Sequence, residues 1–525
     1  MSLYRCELCS YEYDEDAEGQ AWETLGTDWA CPVCGSDQGQ FEHVEPEDAG
    51  VVAAAGVYRC GLCSYAYDED AEGVAWAALP AEWVCPVCGS SKGEFKAIKA
   101  SGAASTSSPV AVSAEVREGY LKQWARKHED DVETHMVDIH HMAETGRSVI
   151  EPMRTRLPTI SWDEILIRGG QLAKLPLNEH DPVSLTTVIG PDAAVPLVIE
   201  APLLITHMSF GALSREAKLA MATGSGMVKA GMCSGEGGIL PECLDAAYRY
   251  IFEYVPNKYS VTDEYLQRVD AVEIKIGQSA KPGMGGHLPG HKVTSEIASI
   301  RGFPEGQDII SPACFPDIRT PDDLKERVSW LREKTGGKPI GIKFAAGNVE
   351  ADMEVALHAE PDFITIDGRA GATGAALKQV KAATSMPTIF ALHRARKYLN
   401  KKGSNASLII TGGFRVSSDM VKALAMGADA IAIGTAAMMA CGCQQYRVCS
   451  SGKCPVGIAT QDPELRSRLK VELSAQRIAN YLGVCAKELG DFARLTGNSN
   501  VHGLSAEDLC TVNSEISNYT DVEHA

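Results

Sequence analysis

The 525-residue sequence predicts an α/β protein, with a closed parallel barrel that carries the chemistry and two small metal-binding modules ahead of it. Three observations predict this. Short apolar runs alternate with helical stretches from about Pro196 onward. Paired glycines end two of the last runs. The first hundred residues hold one four-cysteine unit written twice.

The modules come first in the chain. Cys6 and Cys9 form one C-x2-C pair, and Cys31 and Cys34 a second; Cys60, Cys63, Cys85 and Cys88 repeat them about 54 positions later. Two facing pairs present four thiolates to one ion, and a tetrahedral sulfur site holds zinc or iron. Spacing leaves both metals open. The modules are expected over residues 1–46 and 55–100, and the small-residue stretch 101–115 reads as a flexible linker. Residues 116–195 read as a helical and extended lead-in, with a charged helical pattern from Tyr120 to Met142.

The barrel is expected over residues 196–470. Its apolar runs are Leu203–Thr206, Ala271–Lys275, Pro339–Lys343, Phe363–Ile366, Ser407–Ile410 and Ala430–Ile433. Helical stretches such as Pro321 to Lys334 and Ser417 to Met426 separate several of them. Buried strands alternating with helices make a parallel sheet, here a (β/α)8 TIM barrel. Residues 471–525 are expected as a helical tail, the helical pattern starting at Pro463 and reaching Leu495. Late in the barrel, Gly412 and Gly413 end one strand, and Gly434 and Thr435 end the next. Amide-lined strand ends in adjacent β/α units form a phosphate site.

Composition narrows the function. Hydrophobic residues make up 45%, enough for a large core, and the formal net charge is −20. About 19 acidic and 5 basic side chains lie in residues 1–100. Nucleic-acid binding is excluded by that balance, because phosphates need Lys and Arg; docking to a basic redox protein suits it. No apolar leader and no bilayer-length run is present, and the tight C-x2-C spacing argues against a secreted disulfide framework. A reducing cytoplasm is the expected location.

Wider motifs carry two resemblances. Tyr4-Arg-Cys-Glu-Leu-Cys-Ser-Tyr-Glu-Tyr-Asp14 and Trp29-Ala-Cys-Pro-Val-Cys-Gly35 resemble rubredoxin, as do Tyr58 to Asp68 and Trp83 to Gly89. This implies an iron in each module, with zinc as the alternative. Ser10 and Ser64 stand where rubredoxins carry Gly. The region from about Leu203 to Gln461 resembles the FMN-binding synthase domain of glutamate synthases, in their short archaeal-type form. Its motifs include His207-Met-Ser-Phe-Gly-Ala-Leu-Ser214, Ser234-Gly-Glu-Gly-Gly238, Glu273 to Gly283, Gly285-Gly-His-Leu-Pro-Gly290, Ile310-Ser-Pro312 and Gly371-Ala-Thr-Gly374.

The second resemblance implies roles. FMN would be held by Met208, Ser209, Gly211, Lys275, Gln278 and Lys343, with its phosphate at Gly412, Gly413, Gly434 and Thr435. Lys343 would also hold negative charge on the reduced flavin. Lys343, Glu236 and Lys281 are the catalytic candidates; Lys281, His287 and Arg301, with Lys275, are the substrate candidates. Cys443, Cys449 and Cys454 match a 3Fe–4S cluster, and their irregular spacing suits a cuboidal cluster better than a zinc tetrahedron. Cys441 is an extra thiol; as a fourth ligand it would give a 4Fe–4S cluster instead, but the one-residue gap to Cys443 would strain that arrangement.

The implied reaction forms a 2-imino acid from 2-oxoglutarate and ammonia, and flavin hydride reduces it to L-glutamate. An electron-donor protein and a homo-oligomer are expected. Departures bear on the substrate: His287 stands where large glutamate synthases have Gln, Met284 where they have Glu, and Ser311 to Asp317 lacks their usual histidines. The large forms begin with a glutaminase domain, whereas this sequence begins Met-Ser-Leu. Nitrogen is therefore expected as free ammonia or from a separate glutaminase subunit. Alternatives are a related C–N synthase, such as the N-methylglutamate synthase subunit, an electron-transfer flavoprotein with a different acceptor, or a zinc-stapled scaffold.

Overall fold

The computed structural model describes residues 3–6, 12–14, 22–26, 29–31, 37–44, 57–60, 66–68, 75–80, 83–85, 91–98 and 130–525. The chain divides into two compact units, Met1–Ala125 and Arg126–Ala525.

Each module is a three-stranded antiparallel sheet. Leu3–Cys6 lies between Glu12–Asp14 and Phe41–Val44, and Val57–Cys60 between Ala66–Asp68 and Phe95–Ile98. So few residues cannot build an aliphatic core, and rings fill the interior instead. Trp22 stacks on Tyr4 at 4.4 Å and 10°, meets Tyr13 and Trp29 edge-on and lies tilted against Phe41. Trp76 stacks on Tyr58 at 4.5 Å and 11° and meets Tyr67, Trp83 and Phe95 in the same way. Each such pair adds about 0.5–1.5 kcal/mol beyond its buried area. Cys31 and Cys85 are buried, and Cys6 and Cys60 end their strands. Cys9, Cys34, Cys63 and Cys88 lie outside the described residues, as do the linker 101–115 and residues 116–129.

The second unit is a closed barrel of eight parallel strands. In order they are β1 (Leu203–Ile205), β2 (Gly231–Cys233), β3 (Arg249–Tyr254), β4 (Ala271–Lys275), β5 (Ile340–Ala345), β6 (Phe363–Asp367), β7 (Ser407–Thr411) and β8 (Ala430–Ile433). β8 pairs back onto β1, Leu204 with Ala432. The main helices that follow them are α1 (Arg215–Met227), α2 (Pro241–Ala246), α3 (Asp263–Arg268), α4 (Pro321–Lys334), α5 (Val349–His358), α6 (Thr388–Lys402), α7 (Ser417–Ala425) and α8 (Thr435–Cys441), with α9 (Val471–Leu495) closing the chain's helical tail. The charged run before the barrel yields a helix only at Met136–Thr145 among the described residues. No helix among them is long and apolar enough to cross a membrane.

Local chemistry explains where the elements start. α4 begins with Thr320 as its cap, whose hydroxyl accepts from the Asp323 N–H at 3.2 Å, and with Pro321 at the first position. α9 lies close on α1 because Gly224 has no side chain: a Cβ there would sit 2.6 Å from the Ala475 carbonyl.

Strand alternation places the site. Outward residues such as Val272, Ile274, Ile342, Ile364, Ile366, Leu408 and Ile410 join the helices in one large apolar core. Inward residues near the strand starts, Leu204, Ile251, Ala271, Phe363, Ile409 and Ala430, form a second core with Ile189, Leu197 and Ile199. Phe363 fills this floor because Gly341 faces it: a Cβ on Gly341 would lie 2.1 Å from the ring. Nearer the strand ends the inward positions change character. Glu253, Glu273, Lys343, Thr365 and Thr411 are buried there, followed by Lys275 and Asp367. The barrel is thus a dry apolar plug below and a charged cup above.

Two strands escaped the apolar pattern. β2 is only Gly-Met-Cys, and β3 carries Arg249 and Glu253 within its run. Both are shaped by position in the barrel rather than by local hydrophobicity.

Candidate active site

The charged cup is built from strand ends, where TIM barrels place their chemistry. At its centre is His207, just past β1 and 4% exposed at its side chain. Its Nε2 lies 2.9 Å from Glu273, its Nδ1 lies 3.6 Å from Glu253, and the Gly235 N–H donates to Nδ1 at 3.1 Å. Burial disfavours the charged ring, but Glu253, Cys233 and Glu273 outweigh burial and raise the pKa to about 10.

Lys343 is fully inside the cup. Burial alone would discharge it, but Glu253, Glu273 and Asp367 outweigh burial and raise its pKa. Burial conversely raises the Asp367 carboxyl, although Lys343 and a 2.9 Å bond from Ser279 Oγ oppose it. Thr365 donates to Glu273.

At the rim, Lys275 Nζ lies 2.5 Å from Glu236. Burial would raise the Glu236 carboxyl; the Lys275 charge holds it below the usual range, helped by Ser311 and Lys281. Lys281 donates to the Gly285 carbonyl at 3.1 Å, and burial first, then Lys275, lowers its pKa. Two lysines and one carboxylate therefore converge at the mouth. Arg301 is buried behind them and donates to the Phe210 carbonyl at 2.7 Å, with its guanidinium over Tyr259. His287 is set apart: its exposed ring meets Asp308 at 2.6 Å.

The conserved region in glutamate synthase matches residues 155–499, and rubredoxin matches residues 3–41 and 57–95. The chain belongs to the glutamate synthase family. It is 37% identical over 380 residues to an archaeal-type glutamate synthase [NADPH] of Thermotoga sp., covering 68% of this chain and 75% of that protein. It is 36% identical over 400 residues to the archaeal glutamate synthase [NADPH] of Methanocaldococcus jannaschii, covering 70% and 78%. A glutamate synthase large subunit-like protein of Rhizobium meliloti is 34% identical over 401 residues, covering 72% and 91%. Among solved structures, a mandelate oxidase overlays at TM-score 0.42 and 15% identity, covering 65% of this chain and 86% of that one, a distance that carries no functional argument. Membership makes this glutamate synthase relative an oxidoreductase with two rubredoxin modules.

The residues present fit a flavin nucleotide. Gly412 and Gly413 have φ of +111° and +106°, and a Cβ on Gly412 would lie 2.3 Å from the Gly368 carbonyl. β7 and β8 are adjacent, so these turns and Gly434–Thr435 share one edge of the barrel. A Cβ on Gly434 would lie 3.1 Å from Thr206, next to the His207–Met208–Ser209 segment. Gly235 is pressed against that segment, 2.3 Å from the Met208 carbonyl carbon to its would-be Cβ. Gly211, at φ +105°, leaves equally little room beside Leu288 and Arg301. Gln278 lies in the turn after β4, its carbonyl accepting from the Lys281 N–H at 3.2 Å. The glycines thus let backbone pack closely around the strand ends of the cup that holds Lys343.

The cysteine loop follows α8. Cys449 is influenced by the thiols of Cys443 and Cys454, though burial dominates and pushes it up to about 11. Cys441 is buried towards Ser474 and Arg477 and also pushed up to about 11. Among the described residues no three donor side chains converge on one ion. A cuboidal cluster asks for one thiolate per iron rather than three on one metal, and Cys443, Cys449 and Cys454 lie on one loop close enough for their thiols to act on one another.

His207, Glu253, Glu273 and Asp367 had not been singled out from the sequence. A signal for the carboxylates exists: Glu253 in Arg-Tyr-Ile-Phe-Glu-Tyr and Glu273 in Ala-Val-Glu-Ile-Lys are charges at inward steps of apolar strands.

Proposed function

We propose that this chain is a glutamate synthase that reduces the 2-imino acid formed from 2-oxoglutarate and ammonia to L-glutamate. In this reading the glycine-lined strand ends and Lys343 would hold FMN, which would supply hydride chemistry, and Cys443, Cys449 and Cys454 would hold a 3Fe–4S cluster supplying one-electron chemistry, as would iron in the rubredoxin modules. The nitrogen is ammonia, free or released by a separate glutaminase subunit, and the electrons come from a separate redox protein that docks on the acidic modules.

The observation that carries the reading is Lys275 holding the Glu236 carboxylate at the barrel mouth, with Lys281 beside it. A site that binds one carboxylate this closely is chemically suited to a dicarboxylic 2-oxo acid. Lys275 and Lys281 bind its carboxylates, displacing Glu236. The freed Glu236 stands where it can take a proton from ammonium and return it to the imine nitrogen during reduction. Lys343 supplies fixed positive charge beside the groove, and Glu273, Glu253 and His207 hold the compensating charges and a mobile proton. The position of Cys441, turned towards α9, supports a three-thiolate set.

The test is direct. Under anaerobic conditions, protein supplied with 2-oxoglutarate, ammonia and a reduced electron carrier should form glutamate stoichiometrically with carrier oxidation. Carrier oxidation without glutamate would overturn the substrate assignment.

A further inference from the structure

We propose that residues 149–155 form a strap whose Met153 thioether covers the cysteine cluster and sets its reduction potential. This rests on the reading of Cys443, Cys449 and Cys454 as iron–sulfur ligands.

Met153 is 2% exposed, and its Sδ lies 3.9 Å from the Cys449 Sγ. Its φ is +72°, a region that glycine adopts freely and methionine does not. A residue held there against its preference is held by its surroundings. Those surroundings are on the page. One edge of the strap pairs with the segment between β6 and α6: Lys378 N–H donates to Val149 O at 2.8 Å, Glu151 N–H to Ala376 O at 3.0 Å, and Met153 N–H to Thr373 O at 2.8 Å. Buried Lys381 adds three bonds, to Glu151 O at 2.7 Å, Met153 O at 3.0 Å and the Glu151 carboxylate at 2.7 Å. From the cysteine loop, Arg447 reaches back to the Pro152 and Arg154 carbonyls, both at 3.3 Å. The strap therefore ties the cysteine loop to the barrel, and its apex is the side chain on the sulfur.

The chemistry of that apex differs from the rest of the cluster's surroundings. Cys443 Sγ accepts from the Gln445 N–H at 3.4 Å and from its side-chain amide at 3.3 Å. Cys449 meets a thioether, which donates nothing and excludes water. Adding an electron to a cluster adds negative charge, which hydrogen-bond donors and water stabilise. The thioether against Cys449 therefore disfavours the reduced form and lowers the potential, opposing the Lys292 charge that acts on the same thiol. Met153 is a positioning residue in this sense, acting on the electron relay without touching substrate.

The experiment compares the full-length protein with Met153→Ala, Met153→Gly and Met153→Leu. Acid-labile sulfide reports the barrel cluster alone, because a mononuclear Fe(Cys)4 centre contains none. Electron paramagnetic resonance during a redox titration gives the cluster midpoint. Met153→Ala should raise the midpoint and speed loss of labile sulfide to a chelator about tenfold. Met153→Gly, whose backbone is relaxed at this φ, should do the same, which separates a lost cover from a damaged fold. Met153→Leu should keep the sulfide. Labile sulfide with an unmoved midpoint and unchanged chelator resistance in the alanine and glycine variants overturns the strap alone. Wild-type protein with iron but no labile sulfide overturns the cluster reading and the strap together.

Discussion

Lys275 and Glu236 illustrate how single residues decide recognition. Their 2.5 Å contact is charge-assisted and largely buried. Replacing Lys275 by Met removes the charge while keeping the bulk; the loss of one such bond, about 1.5–3 kcal/mol, should raise KM for the 2-oxo acid at least about tenfold. Steady-state kinetics checks this, with flavin absorbance showing that the cofactor stays bound. Gly341 is decisive in a different way. Its missing side chain is the space that Phe363 occupies, so Gly341→Ala should cost about 1–3 kcal/mol by overpacking, read as a lower Tm. The motifs name Lys275, Lys281 and Glu236, which the fold places at one rim, and His287, which it places against Asp308. His207 lay inside a recognised motif without standing out, because its partners Glu253 and Glu273 come from two other strands.

At the scale of elements, what could be read from the sequence was what repeats locally. Six of the eight strands coincide with apolar runs, and α4 spans the predicted Pro321 to Lys334. β2 and β3 did not, because a three-residue strand and a strand with an inward glutamate leave no hydrophobic signature. Long-range pairings were equally silent. Arg466, in the short helix Pro463–Arg466 after the cysteine loop, grips Glu216 of α1 at 2.8 and 3.0 Å. Burial would raise the Glu216 carboxyl, but Arg466 outweighs it and holds it below the usual carboxylate range. A depressed folded pKa contributes stability that is complete above the unfolded value and fades as pH falls through the folded one. The stability difference between wild type and Glu216→Gln should therefore be level above about pH 5 and shrink on acidification. Urea titrations across that range measure it.

At the scale of the molecule, two units of opposite build share one chain. The modules rely on rings and thiolates; the barrel relies on a large aliphatic core. Deleting residues 1–100 should leave the barrel folded with flavin and labile sulfide, because among the described residues its buried cluster begins at Trp162, with Ile160 packed against it. Turnover driven by the natural donor should stop, while reduction by dithionite should persist. Donor-driven glutamate formation at the full-length rate would remove the modules from the electron path.

The matched ring shells of the two modules leave formal charge as the main variable between them. Glu7, Glu12, Glu23, Asp37 and Glu42 of the first are Gly61, Ala66, Ala77, Ser91 and Lys96 in the second. Gln38 becomes Lys92, whose ammonium sits 5.4 Å from the Trp76 ring, and only Gln40 to Glu94 runs the other way. A centre in less negative company holds an added electron more firmly. On the proposed reading with iron in both modules, the second should fill first in an equilibrium titration, giving two resolved waves that draw together as salt is added.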